Sequence, residues 1–141
     1  MATVRHAHTV WEGDLLKGKG VVTLDSSGIG SYEVSWPARS EEPNGKTSPE
    51  ELIAAAHSSC FSMAFSNGLA KAGNPPVRLE TKADVTFQPG QGITGIHLTV
   101  RGEVPGLDAD QFKALAEEAK KNCPVSQALT GTTITLTAEL L

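Results

Sequence analysis

The sequence predicts an α+β fold in which helices are segregated against antiparallel sheet. Three observations carry that prediction. The apolar pattern runs strands, helix, strands, helix and a last strand along 141 residues. The helix that opens at Ser48 is long and almost uncharged. Two alternating segments, VRLETKADVTF and ITGIHLTVRGEV, are separated only by the turn QPGQG, which reads as a hairpin.

In chain order, Val4 to Trp11 alternates loosely, Gly20 to Leu24 (GVVTL) is β-branched, and Ser31 to Trp36 (SYEVSW) alternates again, with Gly28 and Gly30 turning between them. Pro37 to Thr47 (PARSEEPNGKT) reads as a polar loop. Ser48 then supplies an N-cap, Pro49 the first helical position and Glu51 the distal member of a capping box. The helix extends to Ala72, where Gly73 suits a left-handed C-cap and Asn74-Pro75-Pro76 forbids continuation. That is about 24 residues, or about 36 Å. Between Leu52 and Ser66 its only titratable groups are His57 and Cys60. A helix small or apolar nearly all round is buried on most sides. This one is too long for so small a domain to enclose, so a second subunit is expected to cover part of it.

After the hairpin, Val77 to Phe87 and Ile93 to Val104, an amphipathic helix is predicted from Asp108 to Asn122. Phe112, Leu115, Ala116 and Ala119 share one face, and Cys123 continues it. Pro124 to Leu129 reads as a short turn of helix and Thr132 to Leu140 as a closing strand. No repeat or linker divides the chain, so residues 1–141 are expected to form one domain.

Composition excludes several function classes. Net charge is −4 and the 12 basic residues are dispersed, which argues against a nucleic-acid partner. No apolar run approaches the roughly 20 residues of a membrane span. The opening MATVRHAHTVWEGD has no apolar signal core, and two cysteines are too few for a secreted disulfide framework. A cytoplasmic protein is expected.

The candidate chemistry centres on the two cysteines. Cys60 lies in mid-helix, where the macrodipole contributes little and a thiol is an ordinary small hydrophobe. His57, three residues earlier, shares its side and is a potential base or metal ligand, though one His–Cys pair completes neither a triad nor a zinc site. Cys123 has the stronger local case: followed by Pro124, it stands at the N-cap of a helical turn, with Lys120 and Lys121 nearby, which favours a thiolate. Judged by neighbours alone, Cys123 is the nucleophile and Cys60 the spectator.

SPEELIAAAHSSCFSMAF and NCPVSQAL, with the spacing between them, closely resemble the two cysteine motifs of the OsmC/Ohr family of thiol peroxidases. VWEGDLLKGKG looks like the OsmC (osmotically induced protein C) branch rather than the organic hydroperoxide resistance branch. The resemblance implies an OsmC-like fold, an intertwined homodimer with shared active sites, and reduction of organic hydroperoxides. It makes Cys60 the peroxidatic and Cys123 the resolving cysteine, reversing the local ranking. It also implies an arginine that stabilises the Cys60 thiolate and a glutamate that orients it; the matching positions are Arg39, in WPARSEE, and Glu50, in SPEEL. It implies a Cys60–Cys123 disulfide recycled by an external dithiol, a lipoylated protein being one candidate, and no metal, haem or flavin.

Helical geometry adds a constraint. Glu50 and Cys60 are ten residues apart on one predicted helix, hence about 15 Å along its axis. If both serve one site, another chain's Glu50 completes it. Small and apolar residues nearby (Ala56, Phe61, Met63) suit an organic substrate. Two rival readings remain at this level. One is a dimeric small-molecule-binding stress protein with inert core thiols; the other is a zinc hydrolase using His57 and Cys60.

Overall fold

A computed structural model describes residues 1–141. Two compact units divide the chain, Met1–Leu52 and Ile53–Leu141.

In the first unit, β1 (His8–Glu12), β2 (Lys19–Thr23) and β3 (Ser31–Val34) form an antiparallel sheet in that order. Trp11 pairs with Gly20, where an added Cβ would lie 2.7 Å from the indole and 2.9 Å from Val34. Glycine there is a packing requirement, since the ring occupies the missing side chain's place. The expected loop after β3 instead opens with a short helix, α1 (Trp36–Ser40). Ser35 caps it by accepting a hydrogen bond from Ala38 N, and Ser40 Oγ donates to the Trp36 carbonyl. These serines satisfy backbone groups that composition alone assigns to loop.

Helix α2 (Pro49–Lys71) starts within the first unit and runs on through the second. Ser48 Oγ accepts from Glu51 N at 3.1 Å, but the reciprocal half of the capping box is absent, because the Glu51 carboxylate accepts from Thr47 Oγ1 instead. The C-terminus ends as expected: Gly73 has φ +88° and Asn74 N donates back to Leu69 O.

The second unit holds β4 (Arg78–Gln88), β5 (Gly92–Glu103), α3 (Ala109–Asn122), α4 (Pro124–Ala128) and β6 (Ile134–Leu140). Its sheet has the order β4-β5-β6. β4 and β5 pair antiparallel, with a register irregularity at Thr86/Phe87, whereas β6 runs parallel to β5 from Ile96↔Ile134 to Gly102↔Leu140. The sheet is therefore mixed rather than wholly antiparallel. The reason is connectivity: α3 and α4 intervene between β5 and β6, and a helical crossover returns the chain in its original direction. Asp108 and Gln111 form a complete capping box at the start of α3.

The core of this unit lies between the sheet and one stripe of each long helix. From α2 it takes Phe61, Phe65 and Leu69; from β5, Leu98 and Val100; from α3, Phe112, Ala116 and Ala119, with Cys123 behind them. The Phe65 ring lies 5.6 Å from that of Phe61 and 5.0 Å from that of Phe112, both tilted. On the opposite face of α2, Ala55, Ser59 and Met63 are exposed in the single chain, Met63 at 73%. Phe65→Ala is expected to cost about 3–5 kcal/mol in chemical denaturation, the range for emptying a fully buried aromatic site; a loss under about 1 kcal/mol would show that this stripe is not the centre of the core.

Candidate active site

The four site residues expected from sequence fall into two pairs, one in each unit. In the first unit, α1 presents Arg39 to Glu50 in the first turn of α2. Arg39 Nε donates to both carboxylate oxygens at 3.1 Å, and Nη2 donates to Oε2 at 2.9 Å. The side chain of Glu50 is 8% exposed and that of Arg39 31%. Both ends of the pair are fixed locally. The α2 N-terminus favours a carboxylate at Glu50, and a planar guanidinium offers the parallel donors that grip it. Beside Arg39 lies an apolar cavity of about 360 Å³, walled by Trp11, Leu15, Val22, Val34 and Trp36.

In the second unit, α2 carries Cys60 and the junction of α3 with α4 carries Cys123. Both are free cysteines, Cys60 half-buried and Cys123 with no exposed surface. Their thiols adjoin one another, and the Val125 N–H, in the first turn of α4, is directed at the Cys60 sulfur. Burial pushes the Cys60 thiol up; the Val125 amide opposes that rise, and the neighbouring Cys123 adds to it. Of the groups acting on Cys60, only the Val125 amide favours the thiolate, and burial outweighs it. Cys60 lines a groove of about 570 Å³ with Met63, Ala64, Leu115, Ala119 and Pro124. Of the apolar residues expected around it, Phe61 faces the core instead.

Cys123 does occupy the N-cap of α4, but its side chain makes no capping hydrogen bond. Lys120, expected to favour a thiolate there, pairs with Glu117 at 3.0 Å and reaches the Ile134 carbonyl. His57 is entirely buried on α2, and its Nε2 lies 2.7 Å from Ser126 Oγ on α4. Nδ1 has no partner, and burial holds the imidazole below its usual range, hence neutral. The other histidines are distant from the thiols in role: His8 pairs with Asp25, and His97 lies between Thr135 and Thr137. No group of three His, Cys, Asp or Glu side chains gathers to hold a metal.

Ser126 and Val125 were not singled out by sequence. Their only signal is spacing, since Ser126 follows Cys123 by three residues as Cys60 follows His57 by three.

The family model described as OsmC-like protein matches residues 42–139, more than half of the chain. The chain belongs to the OsmC-like family. It is 44% identical over 122 residues to Peroxiredoxin OsmC of Escherichia coli K12, covering 84% of this chain and 85% of that protein. Organic hydroperoxide resistance protein OhrA of Bacillus subtilis is 31% identical over 124 residues, covering 85% of this chain and 82% of its own. An organic hydroperoxide resistance protein from Elizabethkingia anophelis, solved with thiocyanate bound, superposes with a TM-score of 0.70 at 25% identity over the whole of both chains. The OsmC-like chain thus stands among peroxidase-type proteins, with the α+β fold expected of it. No helix in it is long and apolar enough to cross a membrane.

The difference in burial gives a direct expectation for native alkylation. Iodoacetamide should label Cys60 in the folded protein and reach Cys123 only after denaturation, as read by peptide mass mapping. Preferential native labelling of Cys123 would contradict the packing described.

Proposed function

We propose that the chain, as one OsmC-like domain working in a homodimer, is a cysteine-based peroxidase that reduces organic hydroperoxides to alcohols. The observation that carries this reading is the adjacency of two free thiols, one opening onto a groove and the other sealed behind it. Cys60 is the peroxidatic residue because a substrate can reach it. Cys123 is the resolving residue because it touches Cys60 and meets no solvent.

In the first step the Cys60 thiolate attacks the terminal oxygen of ROOH. The O–O bond breaks, the alkoxide takes a proton and leaves as ROH, and Cys60 becomes a sulfenic acid. The Cys123 sulfur then attacks that sulfur, its proton leaving with the hydroxyl as water, and a disulfide forms. An external dithiol, reduced to start with and oxidised at the end, restores both thiols. The names of the relatives, a peroxiredoxin and organic hydroperoxide resistance proteins, support the same chemistry.

The raised Cys60 thiol needs a positive charge to ionise; Lys71 lines the same groove but is not among the groups that act on the thiol. Arg39 is the proposed source, held by Glu50. An unbroken α2 separates Glu50 from Cys60 by about 15 Å of helix axis, so we assign the Arg39–Glu50 pair that serves Cys60 to the partner subunit. The exposed Ala55, Ser59 and Met63 face of α2 supports an interface there, and the apolar cavity beside Arg39 suits an alkyl or aryl group.

Intact mass after one equivalent of cumene hydroperoxide tests the assignment. Wild type should lose about 2 Da, Cys123→Ser should gain about 16 Da or more, and Cys60→Ser should not react quickly. Oxidation surviving in Cys60→Ser but not in Cys123→Ser would reverse the two roles. If no variant reacts with any hydroperoxide, the thiols are inert.

Removing Arg39 should leave Cys60 with the upward shift imposed by burial. For Arg39→Ala, the pH profile of Cys60 alkylation is expected to move to higher pH, with peroxide reduction at pH 7 slowed by about tenfold or more. An unchanged profile would assign the counter-charge elsewhere.

A further inference from the structure

His57 is the buried titratable group that the reaction above does not use, and its setting is unusual. Both it and Ser126 are buried, and their 2.7 Å hydrogen bond joins α2, which carries Cys60, to α4, whose N-cap is Cys123. His57 stands one turn before Cys60 on α2; Ser126 stands one turn after Cys123 on α4. The imidazole keeps only one nitrogen satisfied, since Nδ1 has no partner. An apolar side chain would fill that volume without desolvating an unpaired nitrogen. A polar group retained at such a cost acts on the arrangement of its neighbours more than on overall stability.

The element it holds has little hold of its own. α4 is five residues long, too short to be stable by its own hydrogen bonds. Around the sulfurs, two further contacts tie it to α2: the thiol–thiol contact and the Val125 N–H directed at Cys60. Both involve the Cys60 sulfur, which gains an oxygen atom in the first step. The His57–Ser126 bond is not altered by that chemistry.

Resting on the peroxidase reading, we propose that the His57–Ser126 hydrogen bond is a positioning contact for the second step. It keeps α4, and with it Cys123, within reach of the Cys60 sulfenic acid while the contacts at the sulfur are rearranged. Disulfide closure accepts a narrow range of geometry, so a drifting α4 slows it. A sulfenic acid left waiting is open to a second peroxide, which takes it to the irreversible sulfinic acid with release of another alcohol.

Single-turnover kinetics on full-length wild type, Ser126→Ala and Ser126→Thr separate the two steps. Hydroperoxide consumption reads the first, and loss of dimedone-trappable sulfenic acid reads the second. In Ser126→Ala the first rate should stay within about twofold of wild type, while disulfide formation slows by about five- to tenfold, the range for one lost hydrogen bond. Sulfinic acid, about 32 Da heavier than the thiol, should build up with excess peroxide. Ser126→Thr keeps a hydroxyl and should restore closure. Wild-type closure in Ser126→Ala would overturn the proposal, as would an equal loss in both steps that Ser126→Thr does not restore. If wild type forms neither sulfenic acid nor disulfide, it is the peroxidase reading that has failed.

Discussion

The i, i+4 stripe on α2 is the constraint on which the rest of the second unit depends. His57, Phe61, Phe65 and Leu69 recur at that spacing and are all buried, which fixes the rotation of the helix about its axis. Cys60 precedes Phe61 by one position, so it lies at the edge of the stripe, half in the core and half on the groove. A rotation that buried Cys60 fully would remove it from substrate; the reverse would part it from Cys123. The same stripe places His57 against Ser126 and thereby seats α4.

The charge balance divides the reactive parts. Cys60 occupies surroundings that favour its neutral form, since burial raises the thiol and a second thiol adjoins it. The strong ion pair, Arg39 with Glu50, is held in the other unit by its own caps and helix terminus. An opposite charge brought to a desolvated acid favours its ionised form. In the shared site proposed above, the partner subunit brings that charge, and assembly becomes the condition for a reactive thiolate.

Much of this was legible in the sequence where the signal is local. Ser48, Pro49, Gly73 and the two prolines after it mark the ends of α2 because capping is decided within a turn of chain. Alternation marked β4 and β5, and the apolar spacing from Phe112 to Ala119 marked α3. What was not legible depends on partners distant in sequence. The parallel pairing of β6 with β5 follows from the crossover, not from the residues of β6. Glu51 accepts from the Thr47 hydroxyl rather than from the expected backbone amide. α1 was hidden in a polar stretch because its serine caps look like loop residues. At the site, the pairing of Arg39 with Glu50 came from resemblance, and the fully buried state of Cys123 ran against its promising N-cap neighbours. Ser126 had no mark beyond its spacing from Cys123, since only the packing of α4 on α2 brings it to His57.

Subunit complementation tests the central claim most directly. Cys60→Ser and Arg39→Ala chains are purified separately, each nearly inactive toward cumene hydroperoxide, then mixed, unfolded and refolded together. If the Arg39–Glu50 pair of one subunit serves Cys60 of the other, each mixed dimer holds one intact site, and activity should return to roughly a quarter of that of wild type treated alike. If no activity returns although mixed dimers are present, Arg39 and Cys60 serve one another within a single chain, and the shared site proposed for this protein is wrong.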